Sequence, residues 1–186
     1  MRFAHLTGRE RPLAVVDGDR VAPLAMDGVA TVDDLIAAGP AAWDGARAAA
    51  AAALERSGEP LQAGMLDAPL EAPSKLACVG LNYHDHCRET GMAAPERPLI
   101  FAKFASSLIG PDAPIEWPER LTEQVDWEAE LAVVIARRIR HASEREALDA
   151  IFGYTAANDV SARDLQFADQ QWCARRASTP SVRSAR

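Results

Sequence analysis

The sequence predicts an α+β protein with more strand than helix, and three observations indicate this class. In the first quarter of the chain, apolar runs at Leu13–Val16 and Arg20–Leu24 flank an Asp-Gly-Asp segment, which is a turn signal for a β-hairpin. Beyond Ser74, the apolar runs are short and lie beside proline or glycine, as strands do. Helix signals, in contrast, are confined to a few capped or alanine-rich segments.

Length and composition indicate one globular domain and argue against several classes of partner. The chain has 186 residues, of which 48% are hydrophobic and 25% charged. A formal net charge of −7 argues against binding to nucleic acid or to an anionic membrane. No segment approaches the ~20 apolar residues of a membrane span, and the N-terminus lacks a secretory core. The three cysteines have no CxxC spacing, so we expect reduced thiols in a cytoplasmic protein.

Residues 1–73 are predicted to form a small N-terminal α/β region that ends in a linker. After the hairpin, Thr31 is expected to cap a helix, because two aspartates follow in its first turn. A second helix is expected at about 41–56. Its many alanines favour helix but offer little surface to bury, so we expect it to be peripheral. Five glycines and prolines between residues 58 and 73 indicate the linker.

Residues 74–172 are predicted to form the main domain. Strands are expected at Lys75–Gly80 (buried), Leu99–Lys103, Ile115–Trp117, Asp126–Ile135 (the longest) and Gly153–Asp159. Helical segments are expected at 82–90, from a Ser143 cap to about residue 151, and at 161–172.

Two carboxylates two residues apart begin the longest predicted strand. Glu128 and Glu130 face the same way on a strand, where like charges repel unless something positive lies between them. A divalent cation such as Mg²⁺ or Ca²⁺ meets this need, whereas a solvated edge strand explains the pair equally well. Asp159, at the end of another strand, is placed either as a third ligand or as the N-cap of the next helix.

A histidine–glutamate pair and a lysine are further candidates. His86 and Glu89 share a face if their segment is helical, so that the glutamate could orient the imidazole. Such pairs are also common on surfaces, where they contribute little. Lys103 ends an apolar strand and could stabilise an oxyanion, although such lysines more often extend to solvent.

Three segments together resemble the fumarylacetoacetate hydrolase family. They are residues 75–86 (KLACVGLNYHDH), 125–135 (VDWEAELAVVI) and 153–166 (GYTAANDVSARDLQ), in the order and spacing of that family. The resemblance implies a distorted β-barrel of rolled sheets, usually dimeric, with a Mg²⁺ or Mn²⁺ cofactor and Ca²⁺ as an alternative. The implied site residues are the metal ligands Glu128, Glu130 and Asp159, the catalytic residues His86, Glu89 and Lys103, and the substrate-binding residues Arg163 and Gln166.

The activity implied by the resemblance is metal-dependent cleavage of carbon–carbon bonds in 2-oxo or 1,3-diketo acids, as by a hydrolase of ketonic substances. Acylpyruvates and fumarylacetoacetate-type compounds are the implied substrates. Isomerisation or decarboxylation of oxo diacids in aromatic catabolism stays open, because the same enolate chemistry supports it. A catalytically inactive remnant or binding module is the non-enzymatic alternative. A cytoplasmic homodimer is expected, with no nucleic-acid or membrane partner.

The resemblance stops after Trp172. The family continues there with a glycine–lysine pair, whereas this chain has Cys173 and Ala174 followed by two arginines. We therefore expect residues 173–186 to be a disordered or non-native tail and the barrel to be incomplete, as in a truncated or frame-shifted member. The alternative is a short functional variant that completes its barrel by association.

Overall fold

The structure is a computed structural model that describes residues 1–10, 12–71, 73–118, 120–169 and 182–184. The α helices are α1 (Val32–Ala38), α2 (Pro40–Ser57), α3 (His84–Thr90), α4 (Glu144–Leu148) and α5 (Arg163–Asp169). The strands are β1 (Arg2–Leu6), β2 (Leu13–Asp17), β3 (Arg20–Pro23), β4 (Glu59–Pro60), β5 (Leu66–Asp67), β6 (Leu76–Gly80), β7 (Leu99–Lys103), β8 (Leu108–Ile109), β9 (Val125–Asp126), β10 (Ala129–Ile135), β11 (Ile151–Asn158), β12 (Ser161–Ala162) and β13 (Val182–Ser184). A 3₁₀ turn spans Ala105–Ser107.

An antiparallel five-stranded sheet, in the order β4-β3-β2-β1-β5, forms the N-terminal part. The predicted hairpin is confirmed, because β2 and β3 pair up to Asp17 and Arg20 on either side of a two-residue turn. Gly18 occupies this turn with a φ of 56°, a left-handed conformation that glycine adopts without steric cost.

Both predicted helices pack on this sheet, but the second is not peripheral. The Thr31 cap is confirmed, since its hydroxyl accepts a hydrogen bond from the Asp34 amide at 2.9 Å. In α2, Ala46, Ala50 and Ala53 are fully buried and form one stripe in the core. The prediction of a peripheral helix is therefore wrong. Side chains this small bury little area themselves, yet they permit close approach of the helix to the sheet.

The second part contains a four-stranded sheet, β10-β11-β13-β8, and two antiparallel pairs, β6-β7 and β9-β12. Strands β10 and β11 form its longest ladder, from the pair Ala129–Asn158 to the pair Ile135–Ile151. The order of the four-stranded sheet does not close on itself among the described residues. Strands outnumber helices, so the predicted α+β class with mainly β structure is confirmed.

Four predicted elements differ from the structure. The strand expected at 126–135 is broken into β9 and β10, which makes β11 the longest strand. The segment 115–117 is not a strand; prolines at 114 and 118 flank it and lack the N–H that a ladder needs. Strand β6 is half-exposed rather than buried. The helix expected from residue 161 is preceded by β12, which occupies the first two of its residues.

The two parts of the chain meet closely at Gly110, just after β8. A Cβ atom at this position would lie 2.9 Å from the backbone Cα of Asp67, so only glycine fits without a shift. The predicted tail, 173–186, lies outside the described residues except for Val182–Ser184, which belong to a sheet as β13. Among the described helices, we find none with the length and apolar character needed for a membrane crossing.

Candidate metal centre

Three carboxylates converge where β9, β10 and β11 meet. Glu128, Glu130 and Asp159 each offer a carboxylate oxygen, and these atoms all lie within 4.8 Å of one another. The break between β9 and β10 places Glu128 just before β10, while Glu130 lies within that strand. Asp159 directly follows β11, the partner strand of β10, so the pairing of the two strands brings the three together.

The backbone around Glu128 is fixed by neighbouring groups. Its amide donates to Asn158 Oδ1 at 3.2 Å, and its carbonyl accepts from the Asp159 amide at 2.9 Å. These two contacts extend the β10–β11 ladder past the last paired residues. Two of the three carboxylates are therefore held by one stretch of sheet, which limits how far they can move apart.

A buried lysine contacts this cluster. Lys103 ends β7, and its Nζ forms an ion pair with Asp159 Oδ1. The side chains of Lys103 and Asp159 are 0% and 2% exposed, so the lysine does not extend to solvent. The alternative reading of Asp159 as a helix N-cap does not apply, because β12 separates it from α5 and its carboxylate contacts Lys103 instead.

The predicted substrate-binding residues lie beside the cluster on α5. Arg163 donates from Nη2 to Glu128 Oε1 at 2.5 Å and to Asp126 Oδ2 at 2.7 Å, and from Nη1 to Gln166 Oε1 at 2.8 Å. Arg163 and Gln166 are thus joined to each other and to a predicted metal ligand. The sequence analysis did not include Asp126, although it lies two residues before Glu128.

Charge pairing holds both partners of this bridge in their ionised forms. Burial opposes ionisation of Asp126, but hydrogen bonds from Arg163 and the Trp127 amide outweigh it and keep the pKa of this carboxyl below its usual range. Burial likewise opposes the charge of Arg163, yet its bonds to Asp126 and Glu128 raise the pKa of the guanidinium. The centre thus contains a cation and an anion that stay charged at neutral pH.

The residue next to Arg163 anchors the start of α5. Asp164 accepts hydrogen bonds from the Thr122 hydroxyl at 2.6 Å and from the amides of Glu123 and Leu165. The Thr122 bond is the main cause that lowers the pKa of Asp164. Adjacent residues therefore serve different partners, and the Asp164 contacts fix the helix that presents Arg163 and Gln166.

The structure does not join His86 and Glu89 to each other. Both lie on α3, where His86 is half-buried and Glu89 is exposed. No hydrogen bond connects them within the part of the chain that the structure describes. The charge of His86 contributes to the lowered pKa of Asp126, so the histidine side of α3 faces the centre. Their catalytic role stays a prediction.

A cavity of about 780 Å³ opens beside the carboxylates. Glu130 and Asp159 line it, together with apolar residues of β6 and β10. Lys75 and Arg137 also line it, which adds positive charge near the acidic groups. The cavity therefore offers both apolar walls and ionic groups to a small anionic molecule.

Comparison with known proteins places the second part of the chain in one family. The family model described as fumarylacetoacetate (FAA) hydrolase C-terminal matches residues 75–182. An oxaloacetate tautomerase, mitochondrial, from Xenopus laevis is 50% identical over 107 residues, which are 56% of this chain and 33% of that protein. The chain spans about a third of the length of the curated relatives it matches.

Solved structures share the fold across a larger part of the chain. A maleylpyruvate hydrolase from Sphingobium sp. SYK-6, in complex with manganese(II) and pyruvate, has a TM-score of 0.74 and 27% identity, covering 100% of this chain and 65% of its own. A 2-hydroxyhepta-2,4-diene-1,7-dioate isomerase from Mycobacterium marinum has a TM-score of 0.58 and 38% identity, covering 70% of this chain and 47% of its own. This similarity confirms the barrel-type fold that the sequence predicted.

Proposed function

Because the chain belongs to the fumarylacetoacetate hydrolase family, we propose that it acts as a metal-dependent enzyme on 2-oxo or 1,3-diketo acids. Hydrolytic cleavage of a carbon–carbon bond, as in acylpyruvates, is the proposed reaction. The observation that carries the proposal is the convergence of Glu128, Glu130 and Asp159 at the edge of a cavity. Oligomer and location follow the sequence expectation of a cytoplasmic homodimer.

The donor set fits a hard divalent cation. Carboxylate oxygens are the ligands that Mg²⁺ and Mn²⁺ prefer, and the cluster of Glu128, Glu130 and Asp159 provides three of them without a thiol or imidazole. The manganese(II) in the maleylpyruvate hydrolase structure supports Mn²⁺ as the first ion to test. We propose Mg²⁺ as the alternative cofactor.

The surrounding side chains have distinct roles in this proposal. A bound cation supplies Lewis-acid polarisation of the substrate carbonyl. Lys103 and Arg163 hold Asp159 and Glu128 in place through their ion pairs. The Gln166 amide, buried beside Arg163, donates to an oxygen of the substrate, and His86 takes a proton from the attacking water. Glu89 orients His86 when the α3 segment closes over the substrate.

Turnover of an acylpyruvate by the full chain, with Mn²⁺ and with EDTA, tests this function. We expect Mn²⁺-dependent release of pyruvate, lost in Glu128→Ala and retained in Glu55→Gln, which changes an exposed glutamate on α2. Manganese binding without turnover by a folded wild type would favour the inactive alternative. No metal dependence at all would contradict the proposal.

Isomerisation of an oxo diacid is the second candidate, and one feature of α3 favours it. His86 and Glu89 are not hydrogen-bonded here, and an isomerase needs no activated water. The isomerase and tautomerase relatives add support. Under this alternative, His86→Ala keeps the rate of enol–keto conversion of oxaloacetate, whereas hydrolysis of acylpyruvate is absent from both proteins.

A further inference from the structure

We propose that Asp126 is a positioning residue of the metal centre, which orients Arg163 and offsets its positive charge beside Glu128. This inference rests on the proposed metal-dependent function. It assigns a role to a carboxylate that the sequence analysis did not select.

The contacts of Asp126 direct it at Arg163 rather than at a cation. Its Oδ2 accepts from Arg163 Nε at 2.9 Å and from Nη2 at 2.7 Å. Its Oδ1 accepts from the Trp127 amide at 2.9 Å. Both carboxylate oxygens are therefore engaged by protein donors. The close carboxylate cluster in the described residues consists of three other side chains, so Asp126 acts through Arg163.

Strand pairing explains why Asp126 reaches Arg163. Asp126 lies in β9 directly opposite Ser161 of β12, and Arg163 begins the helix that follows β12. The Arg163 amide also donates to the Gln124 carbonyl at 2.8 Å, which extends this pairing by one residue. The side chain of Arg163 is only 18% exposed, so its orientation depends on these protein partners more than on water.

The same Nη2 atom that bonds Asp126 also bonds Glu128, a proposed metal ligand. If Asp126 were neutral, Glu128 would become the sole carboxylate of this bridge, and Arg163 would compete more strongly with a cation for it. Asp126 therefore shares the guanidinium and leaves Glu128 available. Ligand carboxylates in metal sites are commonly oriented by such neighbours.

Charge balance supports the same role. The four carboxylates of the site carry four negative charges, and the two cations carry two positive ones, which leaves a net formal charge of −2. One divalent cation neutralises this charge. Without the charge of Asp126 the balance would be −1, which favours a divalent cation less.

Calorimetric titration of Mn²⁺ into the metal-free full chain tests the inference without requiring activity. We expect Asp126→Asn to weaken Mn²⁺ binding about 10- to 100-fold, as loss of a ligand-orienting partner does. Asp126→Glu keeps the charge and is expected to recover most of the affinity. The matched control is Asp44→Asn, which neutralises an exposed aspartate paired with Arg47 on α2 and should bind Mn²⁺ as the wild type does.

A double variant keeps the test decisive if Asp126→Asn folds poorly. Asp126→Asn with Arg163→Gln removes the whole ion pair, which proteins tolerate better than the loss of one partner, and restores the charge of −2. We expect it to bind Mn²⁺ more tightly than Asp126→Asn alone. Wild-type affinity in a folded Asp126→Asn protein, or no recovery in the double variant, would overturn the inference. Failure of the wild type to bind Mn²⁺ would overturn the proposed function as well.

Discussion

Replacement of Lys103 with methionine removes the cation that neutralises Asp159 inside the protein. The two side chains are 0% and 2% exposed, so water cannot solvate the carboxylate that remains. Truncating one partner of a buried ion pair costs about 3–5 kcal/mol, because an uncompensated charge is left behind. For a chain of 186 residues, each 1 kcal/mol lowers the melting temperature by about 2–4 °C, so we expect a fall of roughly 6–20 °C.

Thermal unfolding followed by circular dichroism, in EDTA and in excess Mn²⁺, measures this effect. We expect Mn²⁺ to stabilise Lys103→Met more than the wild type, because the ion takes over neutralisation of Asp159. Lys75→Met, a change at an exposed lysine, is the matched control and should unfold as the wild type does. A loss below about 1 kcal/mol in EDTA, the range of exposed ion pairs, would refute the reasoning.

Three further predictions concern the fold. Gly110→Ala should lower the free energy of unfolding by about 1–3 kcal/mol, measured with urea, because its Cβ would meet the Asp67 backbone at 2.9 Å. Ala50→Leu should destabilise by a similar ~1–3 kcal/mol in the same assay, since Ala50 is fully buried between α2 and the sheet. Asp164→Asn should remove a pH dependence of stability. The pKa of Asp164 is lowered in the fold by the Thr122 hydroxyl, so its contribution is present above the ordinary value of 3.8 and is lost as the pH falls through the lowered one. Between pH 6 and pH 3, the wild type should therefore lose more stability than the variant.

The carboxylate triad was predictable because its members come from short sequence patterns. Glu128 and Glu130 are two residues apart, and Asp159 ends a strand that pairs with theirs. The break after β9 was not predictable from the apolar pattern, since it depends on the pairing of β9 with β12 rather than β11. The role of Asp126 was missed for the same reason, because only this pairing brings it to Arg163.

Local composition also predicted the existence of α2 better than its environment. Alanine propensity indicates a helix, but whether its small side chains face solvent or a sheet depends on tertiary packing. The stripe of Ala46, Ala50 and Ala53 was visible only once the sheet was in place. Lys103 is similar, because its burial requires a carboxylate partner that lies 56 residues away along the chain.

The metal centre is the central claim, and equilibrium binding of Mn²⁺ to the folded, metal-free chain tests it most directly. The account predicts saturable binding of one Mn²⁺ per chain, abolished by Glu130→Gln and unchanged by Glu55→Gln. A folded wild-type protein that binds no Mn²⁺, or a Glu130→Gln variant that binds it equally well, would contradict the account.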